Sequence, residues 1–248
     1  MEYNIIYNED CLTGMNKIPD KAIDMILCDL PYGTTKCAWD TIIPLECLWK
    51  QYKRIIKNKG AILLFAQTPF DKVLGYSNLE MLRYEWVWEK PLATGHLNAN
   101  KMPLKAHENI LVFYKEAPTY NPQKTTGHKP VNTYTKYIET QNNTKIHGKV
   151  SKQISGGGNT DRFPRSVQVF SSDRQKCKLH PTQKPVNLLE YLIKTYTNKG
   201  DLVLDNCIGS GSTAVACINT CRNYIGYELD KGYYDITQKR IQDLVVKY

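Results

Sequence analysis

The chain has 248 residues, a formal net charge of +9 and 42% apolar residues. That length buries one sizeable core, which favours one α/β domain with an insertion over two equal domains. No segment approaches the roughly 18 consecutive apolar residues of a membrane span. The opening MEYNIIYNED is polar and acidic and lacks the basic-then-apolar order of a secretory leader. These features lead to the expectation of a soluble, cytoplasmic protein, monomer or homodimer. Eight cysteines occur without a CxxC pair or paired histidine spacing. They read as reduced, mostly buried thiols with no metal site, a zinc site being the minor alternative.

The elements follow in chain order. A helix-like stretch from Cys11 to Ile18 stops at Pro19-Asp20, and an apolar strand covers Ile23–Cys28. Leu45, Leu48, Tyr52, Ile55 and Ile56 recur at helical spacing from about Pro44 to Ile56, and Lys59-Gly60 ends that helix. AILLFA (Ala61–Ala66) is the continuous apolar run required of a parallel strand covered on both faces. YEWVWE (Tyr84–Glu89) and NILVFY (Asn109–Tyr114) are two more strands. Strand and helix in alternation predict a doubly wound, mostly parallel α/β sheet.

From 116 to 178 the composition turns to Asn, Thr, Gly, Pro and Lys, and periodicity fades, as in a loop-rich insertion. Between Lys115 and Lys178 twelve Lys and Arg face four acids, whereas the remainder of the chain is nearly neutral, 21 against 20. Such a segment is either a solvated face or a surface for a polyanion. Interleaved Tyr120, Tyr134, Tyr137, Phe163 and Phe170 favour an element that meets nucleic acid, because rings stack on bases. Beyond it, VNLLEYLIKTY places Val186, Leu189, Ile193 and Tyr196 on one helical face.

DLVLDNCIGSGSTAVACI then reads as strand, glycine turn and a helix opened by Ser212 or Thr213. Gly209 and Gly211 let the backbone approach a ligand, and the helix N-terminus offers unpaired N–H groups. Glu228 ends the next strand, NYIGYE, where an acid accepts both ribose hydroxyls. The spacing of GSGSTA admits NAD, but Asp205 inside the turn repels a pyrophosphate and suits a cationic nucleoside such as S-adenosylmethionine. A plain tight turn with Asp205 capping a helix is the unremarkable alternative.

The strand at Ile23–Cys28 runs straight into Asp29-Leu30-Pro31-Tyr32. An acid there lies at the carboxyl edge of the sheet, where α/β folds place ligands. Pro31 fixes the backbone and aims the neighbouring carbonyls, and Tyr32 offers a flat ring. Together they make a receptor for a planar base bearing an amino group, provided the base leaves its duplex stack.

DLPY, HPTQKP, DNCIGSGST and NYIGYELD in this order resemble the permuted β group of the amino-methylating DNA methyltransferases, which act on adenine N6 or cytosine N4. The likeness covers 1–115 and 179–248, and the insertion 116–178 falls where that family carries its target recognition region. The resemblance implies a Rossmann-like methyltransferase fold acting on double-stranded DNA. It assigns Asp29, the backbone of Leu30 and Pro31, and Tyr32 to the flipped base. S-adenosylmethionine falls to Asp29, Asp205, Cys207, Gly209, Gly211, Ser212 and Glu228, with Thr182, Gln183, Lys184 and Pro185 over its methionine end. Asp10 and Cys11 stand at the N-terminal cofactor contacts. Leu30 replaces the usual first proline, and Asn206 and Cys207 replace the common Pro and Phe of the cofactor turn. Asp at the first motif position favours adenine. The rivals are cytosine N4, RNA or a glutamine side chain as acceptor, an NAD-dependent oxidoreductase, and an idle DNA-binding module.

Overall fold

The computed structural model describes residues 1–33, 41–137, 153–171 and 183–245. It divides into two compact units, Met1–Asn121 with Ser166–Tyr248, and Pro122–Arg165.

The larger unit is built on an eight-stranded sheet in the order β1-β10-β9-β2-β3-β5-β4-β8. Its strands are β1 (Ile5–Tyr7), β2 (Ile23–Asp29), β3 (Ile56–Ala66), β4 (Leu82–Thr94), β5 (Lys105–Phe113), β8 (Val167–Val169), β9 (Leu202–Asp205) and β10 (Asn223–Tyr227). From β1 to β3 all pairings are parallel; β5 is antiparallel to both β3 and β4. The expected α/β class and mostly parallel sheet are therefore present. The smaller unit holds the antiparallel pair β6 (Tyr134–Tyr137) and β7 (Gln153–Gly156).

Each parallel strand feeds both faces, because its alternate residues point oppositely. In β3, Ile62, Leu64 and Ala66 enter one core with α1 (Cys11–Met15), α2 (Leu45–Ile55) and α3 (Phe70–Tyr76). Ala61, Leu63 and Phe65 enter the other, with α4 (Val186–Tyr196) and α5 (Ser212–Thr220). Double coverage explains why the central strands are apolar throughout. Trp49, Trp86 and Trp88 are buried in these cores; Trp39 and His180 lie outside the described residues.

Several boundaries differ from expectation. The first helix stops at Met15, and α2 passes into β3 at Ile56 without the Lys59-Gly60 terminator. Lys59-Gly60 sits inside β3, where a Gly60 side chain would meet the Asp24 carbonyl oxygen at 2.8 Å. Strands β4 and β5 run longer than their apolar runs. Elements β1, α3 and α6 (Lys231–Val245) carry weak patterns of their own and owe their place to packing. Within the stretch read as a loop-rich insertion, β8 is an edge strand of the main sheet, parallel to β4. Of the six described cysteines, Cys11, Cys28 and Cys217 are buried, whereas Cys47 and Cys221 are exposed. The expectation of mostly buried thiols thus holds for only half of them.

The turn after β9 is anchored on three sides. Asp205 accepts from the Thr213 hydroxyl at 2.6 Å and from the Cys207 N–H at 3.1 Å. Asn206 accepts from the Tyr52 hydroxyl of α2. On the far side, Thr237 of α6 donates to the Gly209 carbonyl at 2.6 Å, and Arg240 to that of Ser210 at 2.8 Å. Gly211 caps α5 with φ +79°, so neither Ser212 nor Thr213 is the cap. A side chain at Gly211 would meet Thr237 Cγ2 at 2.5 Å, hence glycine.

Leu64→Ala is expected to cost about 2–5 kcal/mol in urea unfolding, since the site is fully buried. Val73→Ala on the exposed side of α3 should be near neutral. Burial pushes the Asp205 carboxyl up from 3.8 to about 6, against its Thr213 and Cys207 hydrogen bonds. Across that window the folded chain retains a proton the unfolded chain has released, so stability falls as pH rises. Urea titrations at pH 4, 5 and 6.5 should show a shallower pH slope in Asp205→Asn than in the parent.

Candidate functional site

The carboxyl ends of β1, β10, β9, β2 and β3 share one edge, and a cleft of about 1150 Å³ opens along it. That exceeds the roughly 300–1,000 Å³ of a single small-molecule pocket. Asp29, Leu30, Pro31 and Tyr32 line it, as do Asp10, Cys11, Asp205, Cys207, Gly209, Ser212, Glu228, Gln183 and Lys184. The site residues expected from both ends of the sequence are thus brought together. Gly211 backs onto α6, and Pro185 caps α4, so these two shape the walls without lining them. Thr182 lies outside the described residues.

The register explains the juxtaposition. Ile26 of β2 pairs with Leu204 of β9, which sets Asp205 beside Leu27 and leaves Asp29 two residues, about 7 Å, further out. The turn after β9 and the DLPY segment therefore flank one opening.

On the β2 side, Asp29 Oδ1 accepts from the Tyr32 hydroxyl at 2.6 Å and Oδ2 from Lys184 Nζ at 2.5 Å. The Tyr32 ring stacks on Phe70 at 5.2 Å, which fixes its plane. Leu30 is buried in the core beneath, so its side chain anchors the segment. Lys184 also pairs with Glu108 of β5 at 3.3 Å, and Glu108 bonds Lys90 of β4. The result is a chain of alternating charge, Asp29, Lys184, Glu108, Lys90, with every member at most a quarter exposed. Burial raises the Asp29 carboxyl, and Lys184 opposes that rise. Burial also works against Glu108, yet Lys184 and Lys90 hold it below the ordinary range. Lys184, desolvated but flanked by two carboxylates, is held above its own.

On the β9 side, Glu228 accepts from the N–H of Gly209 at 2.9 Å and of Asp230 at 2.8 Å, leaving further lone pairs on both oxygens. Gly209 has φ +54° and nothing within 4 Å of where a side chain would stand, so its surface is an open cradle. Among the described residues the Gln183 carboxamide oxygen is buried without a hydrogen-bond partner while lining the cleft. An acceptor in need of a donor, an open glycine and an acid with spare lone pairs fit a ribose-bearing cation. Asp10 caps α1 by accepting from Thr13 N at 2.9 Å. Cys11 and Cys207 both accept from the Asn206 amide. Cys28 is pushed up to about 12 by burial, and Cys207 is raised well above its ordinary value. These thiols stay protonated at neutral pH and act as packing groups.

Glu108, Lys90, Tyr52, Thr237 and Arg240 were not anticipated as parts of the site. For Glu108 a signal exists in HENILVF, an acid directly before an apolar run. Tyr52, Thr237 and Arg240 depend on helix placement, and Lys90 on the pairing of β4 with β5.

No group of three or more metal-ligating side chains forms among the described residues. No helix among them is long and apolar enough to cross a membrane.

Residues 23–239 match the DNA methylase family of the N6/N4 type. The chain is 29% identical to the type II methyltransferase M.BglII of Bacillus subtilis, over 94% of this chain and 67% of that one. It is 28% identical to the DNA adenine methyltransferase YhdJ of Escherichia coli K12, over 97% and 83%. In structure it resembles the M1.HpyAVI–SAM complex, with a TM-score of 0.64, 21% identity, and 95% and 98% of the two chains covered. With a family match spanning β2 to α6, the chain belongs to the N6/N4 DNA methylase family.

Proposed function

We propose that this chain transfers a methyl group from S-adenosylmethionine to the N6 amine of adenine in double-stranded DNA. The observation that supports this most is Asp29 at the head of DLPY, opening onto the same cleft as the Gly209 turn. The adenine choice follows from an aspartate at that position, and a relative named as an adenine methyltransferase agrees with it. Cytosine N4 is the second reading, because the family includes both amines.

In this reading Glu228 takes the ribose hydroxyls, the Gly209 backbone lies against the cofactor, and Gln183 and Ser212 complete its pocket with Asp10 and Cys11. Bound there, S-adenosylmethionine supplies a methyl group activated by its sulfonium. Asp29 and the Leu30 carbonyl accept the two N–H bonds of the flipped amine, which draws its lone pair out of ring conjugation toward the methyl. Tyr32 stacks on the base. Pro31 holds the turn. In this reading Lys184 is a positioning residue that keeps Asp29 aimed and ionised, and Glu108 holds Lys184. Segment 116–178, with the unit Pro122–Arg165 inside it, carries target recognition. In that unit Lys124 pairs with Asp161 at 2.6 Å and lies 4.4 Å from the Phe163 ring centroid, and Tyr134 and Phe163 are exposed.

Labelled methyl transfer to duplex DNA, RNA and protein in parallel, followed by modified-base sequencing, tests substrate and base; N4-methylcytosine as the product would overturn the adenine assignment. Asp29→Ala should abolish transfer while S-adenosylmethionine still binds by calorimetry, and near-normal turnover would refute the mechanism. The groups facing Asp29 are Tyr32, Lys184, Glu108, Cys28 and Asp205. Removing the cation in Lys184→Gln should raise the Asp29 pKa and move the acid limb of the kcat profile to higher pH. Removing the neighbouring anion in Glu108→Gln should move it lower. Shifts of equal sign would defeat this assignment.

A further inference from the structure

Strands β4 and β5 extend beyond the core as a hairpin, joined through Gly95 (φ +92°) and a single 3-10 turn, His96–Asn98. Among the described residues its large apolar side chains are left exposed. Leu97 at the tip is fully exposed, Leu92 is 67% exposed, and Met102 and Leu104 are exposed as well. Solvent exposure of four large apolar residues on one short projection marks an interaction surface. The projection is also basic: from Pro91 to His107 it carries Lys101, Lys105, His96 and His107 and no carboxylate. At its base, Leu92, Ala93 and Thr94 line the cleft that holds Asp29.

We propose that this hairpin is a DNA wedge, with Leu97 and Met102 entering the stack beside the flipped base and Lys101 and Lys105 on the flanking phosphates. The inference rests on the DNA methyltransferase reading and adds to it the element that opens the duplex. Leucine and methionine are residue types that serve as wedges between base steps, and lysines flanking them supply the sequence-independent attraction. A second copy of the chain is a poorer occupant, because the same basic hairpin would meet a chain of net charge +9. Continuity with the cleft matters most. A base leaving the stack must be replaced by something close to the pocket that receives it, and the hairpin springs from that pocket's wall.

Binding of a mixed-sequence duplex, followed by anisotropy across salt concentrations, tests the phosphate contacts. Lys101→Gln and Lys105→Gln should each lower the salt slope by about one. At the methylated site, once mapped, a duplex with 2-aminopurine at the target position reports flipping. Leu97→Ala and Leu97→Asp should suppress the fluorescence rise and lower kcat/KM by at least about tenfold, with activity restored when the target base is mispaired and extrusion is cheap. Calorimetric S-adenosylmethionine affinity should be unchanged in both, which also shows that they fold. Intact flipping in Leu97→Asp would overturn the proposal. So would a change of association state in sedimentation equilibrium with DNA binding unaffected, which would make the tip a contact between copies. If no nucleic acid is methylated, the enzymatic reading fails, whereas the salt slopes still decide the phosphate contacts.

Discussion

Between β9 and β2 the crossovers leave in opposite directions: β9 continues through α5 to β10, and β2 through α2 to β3. Right-handed crossovers then force α5 and α2 onto opposite faces of the sheet, where the two cores place them. Neither helix covers the gap between the two strand ends, so a cleft is unavoidable there. The site depends on this. DLPY near the N-terminus and the glycine turn near the C-terminus meet only because their strands are neighbours at the point of reversal, with Ile26 paired to Leu204.

A second consequence is electrostatic. The chain is basic, yet this edge of the sheet gathers Glu9, Asp29, Glu108, Asp205 and Glu228. An acidic cleft attracts a sulfonium and an ammonium, while the lysines of the hairpin and of the insertion suit a polyanion. In the proposed reading, charge thus favours different surfaces for the two partners. Burial raises the carboxyls of Asp29, Asp205 and Glu228, and Lys184 opposes that rise at Asp29, where the proposed mechanism requires an ionised oxygen. Glu228 is supported by two backbone N–H groups instead.

What could be read from the chain beforehand was whatever is written locally. Asp29 and Glu228 stand out because each ends an apolar strand, and α4 because its period is clean. The three residues of β1 and the seven of α3 are too short to show a period. In α6 the helix is long, but its buried side is narrow: Tyr234 and Ile241 pack partly, and Thr237 spends its hydroxyl on the cofactor turn. The role of Glu108 was hidden for another reason. Its partner Lys184 lies on a different element, and only the antiparallel insertion of β5 between β3 and β4 brings the pair together.

The three departures from the family's motifs can be understood as local exchanges of one restraint for another. A proline at position 30 would stiffen the segment through its ring; Leu30 restrains it through a side chain sunk among Ile26, Cys28 and Leu64 of the same core. Pro and Phe in the cofactor turn would supply rigidity and bulk. Asn206 supplies rigidity by hydrogen bonding, bridging Tyr52 of α2 and the thiols of Cys11 and Cys207. Cys207 packs partly against the core that holds Cys11 and Cys28, so polarisable sulfur fills space a ring would occupy. Buried carboxamides are costly unless satisfied, and here both ends of Asn206 are. The turn therefore keeps its shape without the ring.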